Sequence, residues 1–326
     1  MRPNNDIGKN MHEITSGDFS VRKIMNEIVG LSPAIVRVKR ATRKIAKSDE
    51  DCLIIGESGV GKAQVAHIIH RLSRRRSDPL VKLYPSEFYS TKNSQNGEFT
   101  QHFDRIISSA AGGTLVVFDV EEFPDQQKFQ LQELLQGLNG YKKFWEGSSR
   151  PRIISTSKLS PQKALEQKTI STNLYYKLNR LMLEIPALRS RKQDIPYLYQ
   201  KFIRKAARAQ GITLEGYALS DELYDGLMLY NWPGNVKELK NCIRTLVVTA
   251  ENGLVKPTVL PFLDNKDPLK LFAEKSLPEA VQIVENYLLK KALGRFEGNQ
   301  TKAAQHLQIS EASLRYKLKK YVIDNK

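Results

Sequence analysis

The chain has 326 residues, of which 40% are hydrophobic and 26% are charged, an ordinary composition for about two or three globular domains. Lysine and arginine number 51 against 35 acidic residues, which gives a net charge of +16. This excess predicts a polyanionic partner, most simply nucleic acid, or else a solvated basic surface. The sequence has no apolar run of about 18 residues and no apolar N-terminal core, which excludes a membrane span and a signal peptide. We therefore expect a cytoplasmic protein.

Cysteine and histidine give no sign of a metal centre. Cys52 and Cys242 lie far apart and form no CxxC pair, so we expect reduced, partly buried thiols. His67 and His70 are three residues apart on a predicted helix, but the sequence offers no third ligand. No metal site is predicted.

The N-terminal half alternates apolar runs with helical patterns. Residues 1–25 predict a mobile tail, and residues 26–48 predict an amphipathic helix. The basic face of this helix comprises Arg37, Lys39, Arg40, Arg43, Lys44 and Lys47. Between Cys52 and about Pro186, the runs CLIIG, PLVKLY, GGTLVVFD and PRIIST predict buried strands. Strands that alternate with helices predict a mainly parallel α/β sheet.

A loop suited to phosphate follows the first predicted strand. GESGVGK lies between the run CLII and a helix, which is the strand–GxxxxGK–helix context of a phosphate-binding loop. Its backbone N–H groups and the helix N-terminus favour an anion, and the alternative is a glycine-rich turn without a ligand. The residue after the lysine, Ala63, has no hydroxyl for magnesium. The predicted nucleotide-binding residues of this loop are Gly56, Glu57, Ser58, Gly59, Val60, Gly61, Lys62 and Ala63.

The run GGTLVVFDVEEF ends in acidic residues, but not in an adjacent pair. Nucleotide hydrolases use neighbouring carboxylates here, one to orient magnesium and one to polarise water. Asp119 is the remaining catalytic candidate. In a strand, Glu121 would share a face with Asp119, although it lies one residue too far along.

From about Leu188 the periodicity becomes helical. Asp194 is predicted as a helix N-cap, with Pro196 in the first turn and Gly211 at the end. Residues 219–232 and 235–250 predict further helices, with Trp232 as a packing anchor. KPTVLPFLDNKDP predicts a linker.

The last fifty or so residues predict a helix-turn-helix. A long helix from Leu277 to about Phe296 precedes a Gly298-Asn299 turn, and Ser310 is placed to cap the recognition helix. Its apolar stripe from Ala280 to Ala292 is expected to pack, against its own unit or a twin. The predicted base-edge residues are Glu311, Ala312, Ser313, Arg315 and Tyr316, and the predicted phosphate-contacting residues are Lys302, Lys317, Lys319 and Lys320. Such units act as two-fold dimers on inverted repeats in double-stranded DNA. A solvated face is the alternative for each lysine, and a solvated loop is the alternative to a second nucleic-acid patch at Arg71 and Arg74–Arg76.

Several of these motifs, in their order, resemble one family. GESGVGK, GGTLVVFD, LYYKLNRLMLEIPALRSRKQDIPYL and YNWPGNVKELKN resemble the AAA+ domain of the sigma-54-dependent transcriptional activators. GNQTKAAQHLQISEASLRYKLKKYVI resembles their Fis-type helix-turn-helix. The resemblance runs from about Ile28 to the C-terminus and implies a hexameric ATPase that remodels sigma-54 RNA polymerase in the bacterial nucleoid. It implies an AAA+ core with a mainly parallel sheet, an all-helical lid and an all-α DNA-binding domain.

The resemblance also implies the domain boundaries. We expect a tail at 1–25, the α/β nucleotide-binding subdomain at 26–187, the lid at 188–255, a linker at 256–276 and the helix-turn-helix at 277–326. The chain begins almost at the AAA+ domain, so we expect no N-terminal receiver or sensor domain.

The sequence departs from the family at its functional positions. Against the family strand GGTLFLDE, the magnesium aspartate and catalytic glutamate fall on Phe118 and Asp119, or after a one-residue slip on Asp119 and Val120. Ser171 and Lys177 stand where the family has trans-acting arginines, and neither offers a bidentate fork. Lys237 in the lid and Thr156 in the first sensor motif are the other predicted nucleotide-binding residues. Lys237 stands where the family has an arginine. Thr156 matches the family's threonine, whereas Ser157 replaces the asparagine that follows it.

The sigma-54-contacting loop differs most. Gly97–Thr100 resembles the family's GAFTGA only faintly and lies too close to GGTL, so we predict a deleted or collapsed loop. The interpretation is a self-associating DNA-binding regulator that works without sigma-54, with weak or no ATP hydrolysis. ATP or another nucleotide would be a structural ligand or signal, with the role of magnesium left open. A working ATPase that remodels sigma-54 RNA polymerase and an architectural DNA-coating protein remain as alternatives.

Overall fold

The computed structural model describes residues 20–88, 96–136, 149–211, 221–250, 276–296 and 298–321. The chain divides into two compact units, Met1–Leu260 and Pro261–Lys326. In the described ranges, none of the helices is long and apolar enough to cross a membrane.

The first unit is built on a five-stranded parallel sheet. Its strands are β1 (Cys52–Ile55), β2 (Leu80–Leu83), β3 (Thr114–Val117), β4 (Arg152–Ser157) and β5 (Met182–Glu184), in the order β2-β3-β4-β1-β5. The four predicted strands are confirmed. The sequence interpretation missed β5, because three residues with one buried side chain carry too little pattern.

Helices cover both faces of the sheet. They are α1 (Pro33–Lys47), α2 (Lys62–Leu72), α3 (Asn96–Ser109), α4 (Asp125–Gln136), α5 (Pro161–Glu166) and α6 (Thr172–Leu178). Along β3, Leu115 and Val117 pack into one hydrophobic cluster, while Val116 packs into the other. A parallel strand covered on both faces reads as a continuous apolar run, which is why TLVV lacks alternation.

The N-terminal segment differs from its prediction in two ways. Helix α1 begins at Pro33 and not at residue 26, because Ser32 caps it by accepting a hydrogen bond from the Ile35 N–H. Residues 20–25 are helical, and Ile24 and Met25 pack against the core, so the predicted tail does not extend to residue 25. The basic face of α1 is confirmed: Arg37, Arg40, Arg43, Lys44 and Lys47 are exposed, with Lys39 half-buried.

The helical part of the first unit follows β5. A 3₁₀ segment, Leu188–Asp194, leads into α7 (Ile195–Ala209), α8 (Asp221–Leu229) and α9 (Asn235–Val248). Trp232 is fully buried and donates from Nε1 to the Leu227 carbonyl at 2.8 Å, as expected of a packing anchor. Cys52 is buried and Cys242 is half-buried.

Asp194 does not cap α7 with its side chain, contrary to the prediction. Its buried carboxylate instead accepts hydrogen bonds from the Leu31 N–H at 2.7 Å, the Ser32 N–H at 2.8 Å and the Ser32 hydroxyl at 2.7 Å. A Cβ at Gly30 would lie 2.5 Å from this carboxylate, so only glycine fits there. Asp194 therefore ties the segment before α1 to the start of α7.

The second unit contains three helices, α10 (Leu277–Arg295), α11 (Gln300–His306) and α12 (Glu311–Lys320). Leu289, Leu293, Ala303 and Leu314 belong to their common core. Ser310 caps α12 by accepting from the Ser313 N–H at 3.1 Å, which confirms its predicted role. The predicted linker, apart from Ser276, lies outside the described residues.

Candidate functional site

The phosphate loop joins β1 to α2. Gly61 occupies the N-cap position of α2 with a φ of 112°, so the helix N-terminus faces the loop. The Lys62 ammonium donates to the Gly56 carbonyl at 2.7 Å and lies 3.5 Å from a carboxylate oxygen of Asp119. The loop residues thus form the strand–turn–helix arrangement that the motif predicted.

The lid residues after Trp232 are hydrogen-bonded to this loop. The Asn235 amide donates to the Ser58 carbonyl at 2.9 Å and to Glu57 at 3.1 Å, and the Lys237 N–H donates to the Gly59 carbonyl at 3.2 Å. A Cβ at Gly59 would come within 2.2 Å of the Gly234 carbonyl. The close approach of the two backbones therefore requires glycine in the loop.

An ion pair also connects the phosphate loop to the lid. Arg189 donates to Glu57 at 2.7 Å. The hydrogen bond from Arg189, and the smaller effect of Asn235, lower the pKa of Glu57 to about 2. Glu57 is therefore a structural contact of the lid in this state.

A pocket of about 670 Å³ opens between the phosphate loop, α1, α7 and α9. Its volume suits a small-molecule ligand such as a nucleotide. One part of the lining is apolar: Ile28, Val29, Ile35, Val38, Ile185, Leu198 and Phe202. The cationic lining residues are Lys62, Arg191, Lys201, Lys205, Lys237 and Lys240, and the acidic ones are Glu27 and Asp119. An apolar wall beside an excess of cations fits a ligand with a flat base and phosphates.

Arg191 is a pocket residue that the sequence interpretation did not single out. Its side chain is 4% exposed, and one guanidinium nitrogen donates to the Val60 carbonyl at 3.2 Å. Burial lowers the pKa of this guanidinium. Its Nε is buried without a hydrogen-bond partner among the described residues. A buried donor left unpaired is costly, so it favours an acceptor from a ligand.

The corner after β3 brings together Asp119, Thr156 and two lysines. Asp119 adopts a left-handed backbone, with φ 47° and ψ 61°. Its N–H donates to the Thr156 hydroxyl at 2.9 Å, so the predicted sensor threonine and the predicted catalytic aspartate are adjacent. One carboxylate oxygen lies 3.5 Å from the Lys62 ammonium and the other 3.5 Å from the Lys158 ammonium. A hydrogen bond to Glu122, and next the charge of Asp119, raise the pKa of Lys158.

The other residues after β3 do not complete a hydrolytic pair. The strand ends at Val117 and a 3₁₀ turn covers residues 120–122, so the expectation that Glu121 shares a strand face with Asp119 is wrong. Glu121 instead accepts from the Lys158 N–H at 2.6 Å. Phe118 lines the pocket and stacks on Tyr84, whereas Val120 is buried in the core.

This corner offers few protein ligands to a magnesium ion. Magnesium needs near-octahedral oxygen ligands at about 2.0–2.1 Å. The candidate ligand Asp119 has an ammonium beside each oxygen, and Ala63 offers no hydroxyl. Among the described residues, no group of three or more His, Cys, Asp or Glu side chains could hold a metal.

The remaining sequence candidates have local roles. Ser171 caps α6 and donates to Gln132 at 2.9 Å, and Ser157 accepts from the Leu159 N–H at 3.0 Å. The backbone of Gly97–Thr100 lies within helix α3.

The basic and histidine candidates are also largely engaged within the first unit. Arg71 pairs with Glu27 at 2.6 Å, and Arg75 pairs with Asp49 at 2.6 Å. The Nδ1 atom of His70 is 2.9 Å from the Thr114 hydroxyl. Two of the four arginines in the suggested nucleic-acid patch therefore stabilise the fold, and His70 is a core histidine.

The second unit has helix-turn-helix geometry. Leu314 and Leu318 face the core, while Ala312, Arg315, Tyr316, Lys319 and Lys320 are exposed on α12. Glu311 and Ser313 are partly exposed at its first turn, and Lys302 is exposed on α11. The N-terminal part of a recognition helix is the part that reaches base edges.

Lys317 differs from the other predicted phosphate contacts. Its ammonium pairs with Glu285 of α10 at 2.7 Å, and the Tyr321 hydroxyl donates to the same carboxylate at 2.6 Å. Hydrogen bonds from Lys317 and Tyr321 lower the pKa of Glu285. Lys317 thus helps to hold the recognition helix on α10.

These features define an AAA+ P-loop protein with a helical lid and a C-terminal helix-turn-helix. The chain matches the sigma-54 interaction domain over residues 28–184, the AAA+ ATPase lid domain over 189–269 and the Fis family of bacterial regulatory proteins over 280–321. It belongs to the family of sigma-54-dependent transcriptional activators with a Fis-type DNA-binding module.

Curated relatives align with most of this chain. The chain is 30% identical to the transcriptional activator RocR of Bacillus subtilis, covering 97% of this chain and 72% of RocR. It is 28% identical to the response regulator protein PilR of Pseudomonas aeruginosa, covering 92% of this chain and 70% of PilR. Among solved structures, NtrX from Brucella abortus superposes with a TM-score of 0.64 at 21% identity, over 97% of this chain and 74% of that one.

Proposed function

We propose that this chain is a DNA-binding transcriptional regulator whose AAA+ unit binds a nucleotide, ATP or another, with weak or no hydrolysis, and which acts without sigma-54. The proposal rests on the directions of the acidic side chains at the corner after β3. Asp119 lines the pocket, whereas the next acid, Glu121, is turned to the Lys158 backbone. Hydrolysis needs a second polarising group for water beside the phosphates.

Nucleotide binding itself is supported by the pocket. The phosphate loop, the buried Arg191 and the apolar wall near Ile28 all face one cavity. Solved structures of NtrX, which shares the fold, contain ADP or ATP. Binding that is not followed by turnover would make the nucleotide a ligand that shifts the population of oligomeric states.

Action without sigma-54 is supported by the region before β3. The stretch that resembles the sigma-54-contacting loop, Gly97–Thr100, is part of helix α3. A polymerase form that needs no ATP-driven remodelling is therefore the expected partner.

DNA binding as a dimer is supported by the second unit. Leu289 and Ala292 of α10 are buried in its core, but Leu277, Val281, Val284 and Leu288 are 77%, 46%, 42% and 44% exposed on one stripe. A twin helix from a second copy would cover this stripe. Recognition would then involve an inverted repeat with half-sites about one helical turn apart.

The direct experiment measures ATP binding and ATP turnover by the full chain, with and without DNA, beside Lys62→Ala. We expect wild-type binding that falls at least about tenfold in Lys62→Ala, because the lysine contacts the terminal phosphates. We expect turnover to be equally low in both proteins. Turnover that is present in the wild type and lost in Lys62→Ala would establish a working ATPase instead.

That second candidate, an ATPase that remodels sigma-54 RNA polymerase, is favoured by the match to the sigma-54 interaction domain over residues 28–184. Transcription from a sigma-54 promoter that depends on this chain and on ATP would support it. If the chain binds DNA with weak sequence preference and with an affinity that falls steeply with salt, an architectural DNA-coating protein would be favoured instead.

A further inference from the structure

We propose that Lys158 takes the place of a divalent cation at this site, so that the chain binds its nucleotide without magnesium. The inference rests on the proposed nucleotide binding and adds a specific role for a lysine that follows β4. It concerns binding only and requires no hydrolysis.

The first observation is how the two oxygens of Asp119 are divided. The Lys62 ammonium lies 3.5 Å from Oδ1, and the Lys158 ammonium lies 3.5 Å from Oδ2. Lys62 approaches from the phosphate loop and Lys158 from the end of β4, so the carboxylate is held between two positive charges. A lysine in the position of Lys62 is an ordinary neighbour of magnesium in phosphate-loop sites; Lys158 is the additional cation, and it would repel a metal ion bound to Asp119.

The second observation is that Lys158 is fixed in place. Its ammonium also pairs with Glu122, and its backbone N–H donates to Glu121 at 2.6 Å. The backbone of Asp119 is fixed in turn by its hydrogen bond to Thr156. The ammonium therefore needs little reordering to stay beside Asp119, which lines the pocket, and this reduces the entropic cost of a contact with a phosphate.

The third observation is the missing hydroxyl. Ala63 stands directly after the phosphate-loop lysine, where a serine or threonine would bind magnesium. Of the two protein contacts that could recruit the ion, one position has no hydroxyl and the other has a lysine beside its carboxylate. Lys158 supplies at this corner a positive charge that magnesium would otherwise bring to the terminal phosphate.

The test measures ATP affinity of the full chain by calorimetry, in excess magnesium and in EDTA. Wild-type affinity should change by less than about twofold between the two conditions. Lys158→Asn should bind ATP about tenfold more weakly in EDTA, because the terminal phosphate loses its cation, and should recover affinity when magnesium is added. Lys163→Asn, an exposed lysine on α5, is the charge-matched control and should behave as the wild type.

The outcomes separate this inference from the proposed function. Wild-type binding that requires magnesium, or Lys158→Asn affinity equal to wild type in EDTA, would overturn the role of Lys158 and leave nucleotide binding intact. If no ATP binds under either condition, nucleotide binding itself is rejected, and the inference with it. Thermal unfolding of each variant would establish that the comparison is made between folded proteins.

Discussion

The two units of this protein differ in how part of their charge is paired. In the first unit several charged side chains beside the phosphate loop pair with one another: Lys62 and Lys158 flank Asp119, and Arg189 pairs with Glu57. In the second unit, Lys302 and Lys319 are exposed on the helix-turn-helix, and they have no ion-pair partner within the described part of the chain.

This difference separates a binding pocket from a binding surface. Charged side chains in a pocket are held in fixed positions, and they pair with one another when no ligand is bound. A DNA-binding face keeps its cations solvated, and it gains free energy when phosphates release their counterions. The following variants test whether the two units are as distinct as their charges indicate.

The largest effect is expected at the packing anchor of the lid. Trp232→Ala removes a fully buried indole and its hydrogen bond to Leu227, so the free energy of unfolding of the first unit should fall by about 3–5 kcal/mol. Denaturation with urea, followed by nucleotide binding, measures it. Trp232→Phe, which keeps a ring, should lose less. A stability equal to wild type would refute the role of the indole as an anchor.

A comparable loss of stability is expected from a truncation in the core of the second unit. Leu314→Ala empties a fully buried site beneath α12, which should cost the second unit about 2–5 kcal/mol. Operator binding should be lost while nucleotide affinity stays at the wild-type level. Lys290→Ala changes an exposed position of α10 outside the apolar stripe and should leave the stability of the second unit unchanged. Loss of nucleotide binding in Leu314→Ala would contradict the separation of the two cores.

A smaller effect is expected from the lysines of α12. Lys319→Ala should lower the slope of log affinity against log salt by about one, because one phosphate contact is removed. Lys317→Ala should change that slope less and destabilise the second unit more, since Lys317 pairs with Glu285. DNA binding at several salt concentrations measures both slopes. Equal slopes for the two variants would indicate that Lys317 leaves Glu285 for a phosphate.

The smallest effect concerns pH. Folding lowers the pKa of Glu57 from its ordinary 4.5 to about 2. The pairing of Glu57 therefore stabilises the first unit fully above about pH 4.5, and this contribution is lost as the pH falls towards 2. Both partners are nearly half-exposed, so solvent screens the gain. Glu57→Gln should lower the melting temperature slightly at pH 7 and by less at pH 3; equal losses at both pH values would refute the linkage.

Much of the fold was predictable because its patterns are local. Continuous apolar runs gave four of the five strands, and the glycine motif gave the phosphate loop. The start of α1 and the role of Asp194 were predicted wrongly. Both depend on Ser32, which caps α1 and also binds Asp194, 162 residues away. A contact of that separation leaves no periodic signal in the sequence.

The candidate site was predicted only in part for the same reason. The phosphate loop, Asp119, Thr156 and Lys237 were all identified from motifs. Lys158, Arg191 and Asn235 were not, although Lys158 follows the carboxyl end of a predicted strand, where ligands bind in open parallel sheets. The position of Lys158 at that edge of the sheet is the feature from which it could have been predicted.

The sequence by itself determined the parallel sheet, the phosphate loop, the helix-turn-helix and the loss of the adjacent acid pair. Each of these features depends on residues that are close together in the sequence. Only the tertiary structure decided where the remaining acids point. Asp119 turns into the pocket between two ammonium groups, and Glu121 turns to the Lys158 backbone. Those directions follow from the end of β3 at Val117 and the left-handed backbone of Asp119, which are set by packing against β4 and its Thr156 side chain.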